Sequence, residues 1–197
     1  MKRVALILAA VALSCISASA ENNKDYVVRR SVDKTFSDGS RYVGEVNARG
    51  EMDGQGVYYF GDSADIYEGE FVRDRFEGKG TLYRQEGDRF IGTFKNDRFV
   101  KGTHLLPGRQ GLRDEGTFSY KKNSLVLVEG IRYYDGFYYE GPFKNNMPNG
   151  EGTTTFINGD VYKGVHNNGW ESGCGTMTKA DGTVTTGHWQ NGTWKNI

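Results

Sequence analysis

The chain has 197 residues, among them 28 glycines, 3 prolines, 12 tyrosines and 11 phenylalanines. So many rings exclude a disordered chain, and so much glycine with so little proline suits a turn-rich β protein of one domain. The 25 basic residues balance 25 acidic ones, which argues against nucleic acid as a partner.

In chain order, Lys2-Arg3 precede an apolar run from Val4 to Leu13, and Ala18-Ser19-Ala20 supply a small-residue cleavage site before Glu21. This pattern predicts a signal peptide over 1–20 and an exported protein that is periplasmic, envelope-associated or secreted. The run is too short to span a bilayer, which needs about 20 residues. A second reading takes Ala12-Leu13-Ser14-Cys15 as a partial lipoprotein signal that would leave a lipid-anchored Cys15, although Ala12 stands where leucine is usual. Simple cleavage is preferred. Residues 21–37 then form an N-terminal capping segment and 38–197 a repeat array of about six to seven units.

The array is read from its glycines. A turn glycine is followed five residues later by a second at 39 and 44, 87 and 92, 111 and 116, 136 and 141, 159 and 164, and 182 and 187. Ala64 stands in for the turn glycine before Gly69. The spacing of the second glycines, 23 residues with small insertions, marks stacked supersecondary units, none able to bury its apolar face alone. Turn signals such as Asp38-Gly39, Asp135-Gly136 and Asn158-Gly159 between units, and Asn168-Gly169, Asn191-Gly192, Asn96-Asp97 and Asn145-Asn146 within them, predict hairpins. Strands of about five or six residues follow. Alternation puts Tyr67 and Phe71 on the face of Gly69, Phe90 and Phe94 on that of Gly92, and Tyr139 and Phe143 on that of Gly141. Each glycine then leaves room for a ring from the neighbouring strand, giving an aromatic ladder that one layer cannot wholly cover.

Tyr42-Val-Gly44, Tyr67-Glu-Gly69, Phe90-Ile-Gly92, Tyr139-Glu-Gly141 and Tyr162-Lys-Gly164 head these units. Four of them are followed by Gly54-Gln-Gly56, Gly78-Lys-Gly80, Gly150-Glu-Gly152 and Gly173-Cys-Gly175. From Asp38 to Trp194 the pattern resembles the MORN (membrane occupation and recognition nexus) repeat. The resemblance implies an all-β fold, an elongated single-layer meander of β-hairpin repeats. It also implies a binding module: family members with catalytic activity carry it on an appended domain, and isolated arrays engage membranes, protein tails or a second copy.

The fourth unit departs from the pattern, replacing Gly-x-Gly with Leu125-Val126-Leu127-Val128 and running into Tyr133-Tyr134-Asp135-Gly136-Phe137-Tyr138-Tyr139. Rings crowded around one turn cannot all face inward, so a protein partner is expected at Tyr133, Tyr134, Phe137, Tyr138 and Tyr139 with their ladder neighbours Phe118 and Phe143. The apolar loop Leu105-Leu106-Pro107-Gly108 lies in the unit before. The competing reading is cross-strand ring pairing with a purely structural role.

A second binding reading uses charge. Between Arg73 and Arg113 ten basic residues face five acidic ones, and Arg73, Arg75, Arg84, Arg89, Lys95, Arg98 and Lys101 could attract an anionic phospholipid surface or envelope glycan. Glu77, Glu86, Asp88 and Asp97 are interleaved with them, which favours a scatter of charge over both faces.

Catalytic groups do not assemble. His104, His166 and His188 fall in no metal-binding spacing, and the Gly-x-Gly elements do not continue into a phosphate loop. No catalytic residue, cofactor or metal is expected, and a hydrolase using His166 is a distant third reading. His166 takes the position held by Phe71, Phe94, Phe118, Phe143 and Trp189 in other units, so it should face the ladder. Cys174, between Gly173 and Gly175, should be exposed and, once Cys15 is removed, unpaired within the chain, which offers a cross-link for a homodimer.

Overall fold

A computed structural model describes residues 28–108, 111–190 and 193–197. The expected leader, Cys15, the start of the capping segment and the Asn191-Gly192 turn lie outside the described residues. Those described are all β, as the turn spacing predicts, and form one antiparallel sheet. Its first strand, β1 (Arg30–Thr35), belongs to the capping segment and pairs with β2.

Hairpins follow in strict succession: β2 (Arg41–Val46) with β3 (Met52–Tyr59), β4 (Ile66–Val72) with β5 (Arg75–Tyr83), and β6 (Arg89–Lys95) with β7 (Arg98–Leu105). Next come β8 (Arg113–Lys121) with β9 (Ser124–Tyr134), then β10 (Phe137–Lys144) with the two-residue β11 (Met147–Pro148) and β12 (Gly150–Phe156). The last are β13 (Val161–Asn167) with β14 (Trp170–Thr178) and β15 (Val184–Gln190) with β16 (Thr193–Asn196). Each strand neighbours the next along the chain, apart from β11, which pairs only with β10.

The register explains the glycines. Gly44 pairs with Gly56, Gly56 with Gly69, Gly69 with Gly80, Gly80 with Gly92, Gly92 with Gly102, and Gly102 with Gly116. The line continues through Gly130 and Gly141, and from Gly152 through Gly164 and Gly175 to Gly187. A spine of glycines therefore crosses the sheet at right angles to its strands. The fourth unit, expected to have lost its Gly-x-Gly, keeps the spine through Gly130.

The ring filling each gap is the repeat's own tyrosine rather than one from a neighbouring strand alone. A Cβ on Gly56 would enter the Tyr42 ring, one on Gly80 the Tyr67 ring, and one on Gly152 the Tyr139 ring. Each ring lies across its glycine pair and donates its hydroxyl hydrogen three residues on: Tyr42 to Glu45 O (2.7 Å), Tyr67 to Glu70 O (3.1 Å), Tyr139 to Pro142 O (3.1 Å) and Tyr162 to Val165 O (3.2 Å). Burial pushes all four phenols above their ordinary range, Tyr139 and Tyr162 to about 12.

A register shift follows the spine glycine in β2, β4, β6, β8 and β13. Such bulges bend a strand and increase its twist. Beyond the shift, cross-strand pairs repeat: Val46 with Met52, Phe71 with Phe76, Phe94 with Phe99, Phe118 with Leu127, Phe143 with Pro148, His166 with Glu171 and Trp189 with Trp194. Four of these pairs reach back to the tyrosine of the preceding hairpin, with ring centroids at 5.0 Å for Tyr42 and Phe71, 5.0 Å for Tyr67 and Phe94, 4.5 Å for Tyr139 and His166 and 5.9 Å for Tyr162 and Trp189. A single layer thus covers its own core. Tyr42, Tyr67, Phe71, Phe94, Phe99, Phe118, Tyr139, Phe143 and Tyr162 are all buried, so this part of the ladder is closed where the sequence suggested it would stay partly open.

Hairpin tips lock the stack. Arg73-Asp74, Asn96-Asp97, Lys122-Asn123 and Asn145-Asn146 take positive φ at both positions, the primed-turn geometry. The second tip residue then caps the preceding hairpin: Met52 N donates to Asp74 Oδ1 (2.7 Å), Phe76 N to Asp97 Oδ1 (2.8 Å) and Leu127 N to Asn146 Oδ1 (2.9 Å). Among the described residues the tip at Asn123 makes no such bond.

Candidate functional site

The row of residues two before the spine glycine on the first strand of each hairpin and two after it on the second, followed from strand to strand, is Tyr42, Tyr58, Tyr67, Leu82, Phe90, His104, Asp114, Arg132, Tyr139, Thr154, Tyr162, Met177 and Thr185. It is aromatic at its start and polar in the middle. Phe90 holds the tyrosine position of the third hairpin but does not cover its glycines. It stacks instead on His104 (4.3 Å, 12°), whose Nε2 lies 2.6 Å from Asp88 Oδ1.

In the fourth hairpin Asp114 replaces the tyrosine. Both its oxygens accept from the Arg132 guanidinium (2.6 and 2.7 Å), which also donates to Asn146 O (2.6 Å) and lies over the Phe143 ring (5.2 Å). Asp114 is 4% exposed, and burial alone would depress the guanidinium pKa. The hydrogen bond to Asp114 reverses that, leaving Arg132 above its ordinary value. An ion pair fills less space than rings. Around it His104, Leu112, Phe118, Leu125, Leu127 and Tyr134 line a concavity of about 410 Å³. A second concavity of about 410 Å³ adjoins it across Leu125, over Leu82, Phe90, Phe94, Phe99, Tyr120 and Asn123.

Of the seven ring positions expected at a partner surface, Phe118, Tyr139 and Phe143 are core. No partner reaches them without opening the sheet. Tyr133, Tyr134, Phe137 and Tyr138 are half-buried. Tyr134 stacks on Phe137 (4.4 Å) and lines the first concavity, while Tyr133 packs against Tyr138 (5.5 Å) and the Arg113 guanidinium (3.5 Å). The trough running over β6 to β9 was not foreseen as such. Phe90 and Asp114 at tyrosine positions are the sequence signal that locates it.

The expected anionic-surface residues divide among three places. Arg73, Arg75, Lys95 and Arg98 sit at two hairpin tips, where Arg75 donates to Asn96 and Arg98 lies over Tyr120. Lys79, Arg89 and Lys101 lie on the sheet face opposite the rings by alternation, Lys79 donating to Thr93 and Arg89 lying over Tyr83. Arg84 lies in the outer loop, ion-paired with Asp65 (3.2 Å).

His166 faces the ladder, as its position requires, and is 3% exposed. Its Nε2 is 2.8 Å from the Thr154 hydroxyl and its Nδ1 3.1 Å from Gly164 O, between the Tyr139 and Tyr162 rings. Burial holds its pKa below the ordinary value of 6.5, against the opposing effects of Glu171 and Gly164 O. The unfolded chain therefore takes up this proton more readily than the folded one. The stability due to neutral His166 is complete above the ordinary value and is lost as pH falls below it. Replacing His166 by phenylalanine and Thr154 by valine should flatten that part of the slope. The check is the urea midpoint at pH about 7.5 and about 5, which should fall more for the wild type than for the double variant. Cys174 is exposed and unpaired among the described residues, opposite His188 in the register.

The MORN repeat model matches residues 42–64, 67–89, 139–161 and 162–184. These segments begin at Tyr42, Tyr67, Tyr139 and Tyr162, the four tyrosines that roof the spine. Between the second and third matches lie the hairpins with Phe90 and Asp114, which also carry the trough. No curated protein matches the chain. Among solved structures, the SAS-4 (dCPAP) TCP domain of Drosophila melanogaster, in complex with a proline-rich motif of Ana2 (dSTIL), is 12% identical. That similarity has a TM-score of 0.41 and covers 89% of this chain and 99% of that one.

Proposed function

We propose that this MORN-repeat chain is an exported, non-catalytic interaction module that takes a protein partner in the trough over β6 to β9. MORN repeats build binding surfaces in protein or membrane association, and the four matched hairpins here are regular and closed over their tyrosines. The observation that carries the reading is the break in that regularity, where two concavities of about 410 Å³ each meet at Leu125. Volumes of about 300–1,000 Å³ are those of ligand clefts. The leader-like segment at residues 1–20 supports work outside the cytoplasm.

The test pairs partner capture with stability. Leu125→Arg should fill the junction and abolish recovery of the partner from native extracts, and Tyr134→Ala should weaken it by about tenfold or more. Trp170→Ala, at an exposed tip remote in the register, should leave recovery and melting temperature unchanged. If capture survives Leu125→Arg, or falls only in proportion to melting temperature, the trough is not the docking site. Flotation with anionic liposomes that is lost at high salt would favour the membrane reading instead.

A further inference from the structure

The trough has a chemical polarity. We infer that its partner is an extended segment carrying apolar residues beside lysine or arginine, with the cationic side chains seated against Glu86, Asp88 and Asp97; this rests on the docking site proposed above.

Three observations carry it. First, the second concavity is a gap in the stacking scheme. Asp74, Asp97 and Asn146 each accept the N–H of a residue in the preceding hairpin, whereas the Asn123 tip, which lines the concavity, makes no such bond among the described residues. The fourth hairpin therefore lacks the tip clasp with which the second, third and fifth hold the hairpin before them, and meets the third through Phe118 on Phe99 (5.0 Å). Second, the floor is apolar, made by Phe90, Phe94, Phe99 and Leu125, and it continues across Leu125 into the first concavity. A trough open along its length suits a chain laid across strands more than an enclosed small molecule.

Third, the rim is acidic. Glu86, Asp88 and Asp97 line it together with a single base, Arg84, and that base already reaches Asp65 (3.2 Å) and Glu86 (3.8 Å). At the same rim His104 Nε2 lies 2.6 Å from Asp88 Oδ1, and the Arg98 guanidinium is drawn over the Tyr120 ring (5.1 Å). The most basic stretch of the sequence thus turns three of its five carboxylates to the trough, while Lys79, Arg89 and Lys101 lie on the opposite face. A partner with positive charge gains attraction along the rim, and one with negative charge is repelled.

The experiment pans a random dodecapeptide phage library against the full mature protein and measures the selected peptides by fluorescence anisotropy. Three variants are compared. In Glu86→Gln/Asp88→Asn/Asp97→Asn the charges go but the acceptor oxygens stay, and asparagine already serves as the tip cap at Asn146. Leu125→Arg blocks the trough, and Lys79→Ala/Lys101→Ala alters the opposite face. Selected peptides should be rich in Lys or Arg next to apolar residues. The triple variant should weaken them about tenfold at low salt, with the difference shrinking as salt shortens the Debye length below about 10 Å. The opposite-face variant should bind as the wild type does. Peptides without a basic bias, or unaffected by the triple variant but lost with Leu125→Arg, overturn this inference and leave the docking site standing. Peptides that bind Leu125→Arg normally, or a library that yields no binders, overturn both.

Discussion

Tyr67→Ala is expected to destabilise the protein by about 3–5 kcal/mol, the range for removing a buried aromatic ring. The ring is fully buried, stacks on Phe76 at 3.8 Å and meets Phe71 and Phe94 edge-on at 5.2 and 5.0 Å. It therefore joins the second hairpin to the third, and its loss removes an interface as well as a side chain. In a stack stabilised mainly by neighbouring units, such a loss should broaden the urea transition and not merely shift it. Tyr67→Phe keeps the ring and forfeits only the hydroxyl bond to Glu70 O, at a cost of about 1 kcal/mol. Equal costs for the two substitutions would show that the hydrogen bond, and not the ring, holds the hairpins together.

The second large effect belongs to the spine. A methyl group on Gly80 would enter the Tyr67 ring, so Gly80→Ala should cost about 1–3 kcal/mol through overpacking. Gly173 is the contrast: nothing lies within 4 Å of its would-be Cβ, and its φ of +64° alone resists alanine, which costs about 1–2 kcal/mol. The two glycines fail for different reasons, and a double-mutant cycle separates them. Combined with Tyr67→Ala, Gly80→Ala should lose most of its penalty because the ring it strikes is gone, whereas Gly173→Ala should remain additive. Additivity at Gly80 would mean that the backbone of the neighbouring strand, and not the tyrosine, excludes the methyl.

The repeat, the all-β meander and the face shared by rings and glycines were legible because they follow from period and alternation. The two glycines of Gly-x-Gly look alike in sequence yet differ in role. Gly78, with φ +66°, lies beneath the Glu70 carboxylate, which accepts from Lys79 N, while Gly80 lies beneath Tyr67. Only the cross-strand register separates them. Asp74 and Asp97 read as ordinary turn residues, and their capping of the hairpin before depends on how far each strand bends after its bulge. The buried pair of Asp114 and Arg132 joins residues 18 apart in sequence, and no local pattern announces it. In the aromatic hairpin around Asp135-Gly136, Tyr139 belongs to the core, while Tyr133, Tyr134, Phe137 and Tyr138 pair across strands and stay half-buried, a division that ring count alone does not reveal.

The uncapped tip at Asn123 also bears on how the molecule comes apart. The second, third and fifth hairpins add tip caps to the strand pairing, but among the described residues the seam between the third and fourth is held without one, by the ladder of β7 and β8, the Phe99 and Phe118 rings (5.0 Å) and Arg98 over Tyr120. Pulled from its two ends, the stack should yield first at that seam and part into an amino-terminal and a carboxy-terminal block. At rest, the amides of Lys101 to Leu105 should exchange with solvent sooner than those of Lys79 to Tyr83, because the same fault that opens a trough also sets the boundary between two cooperative units.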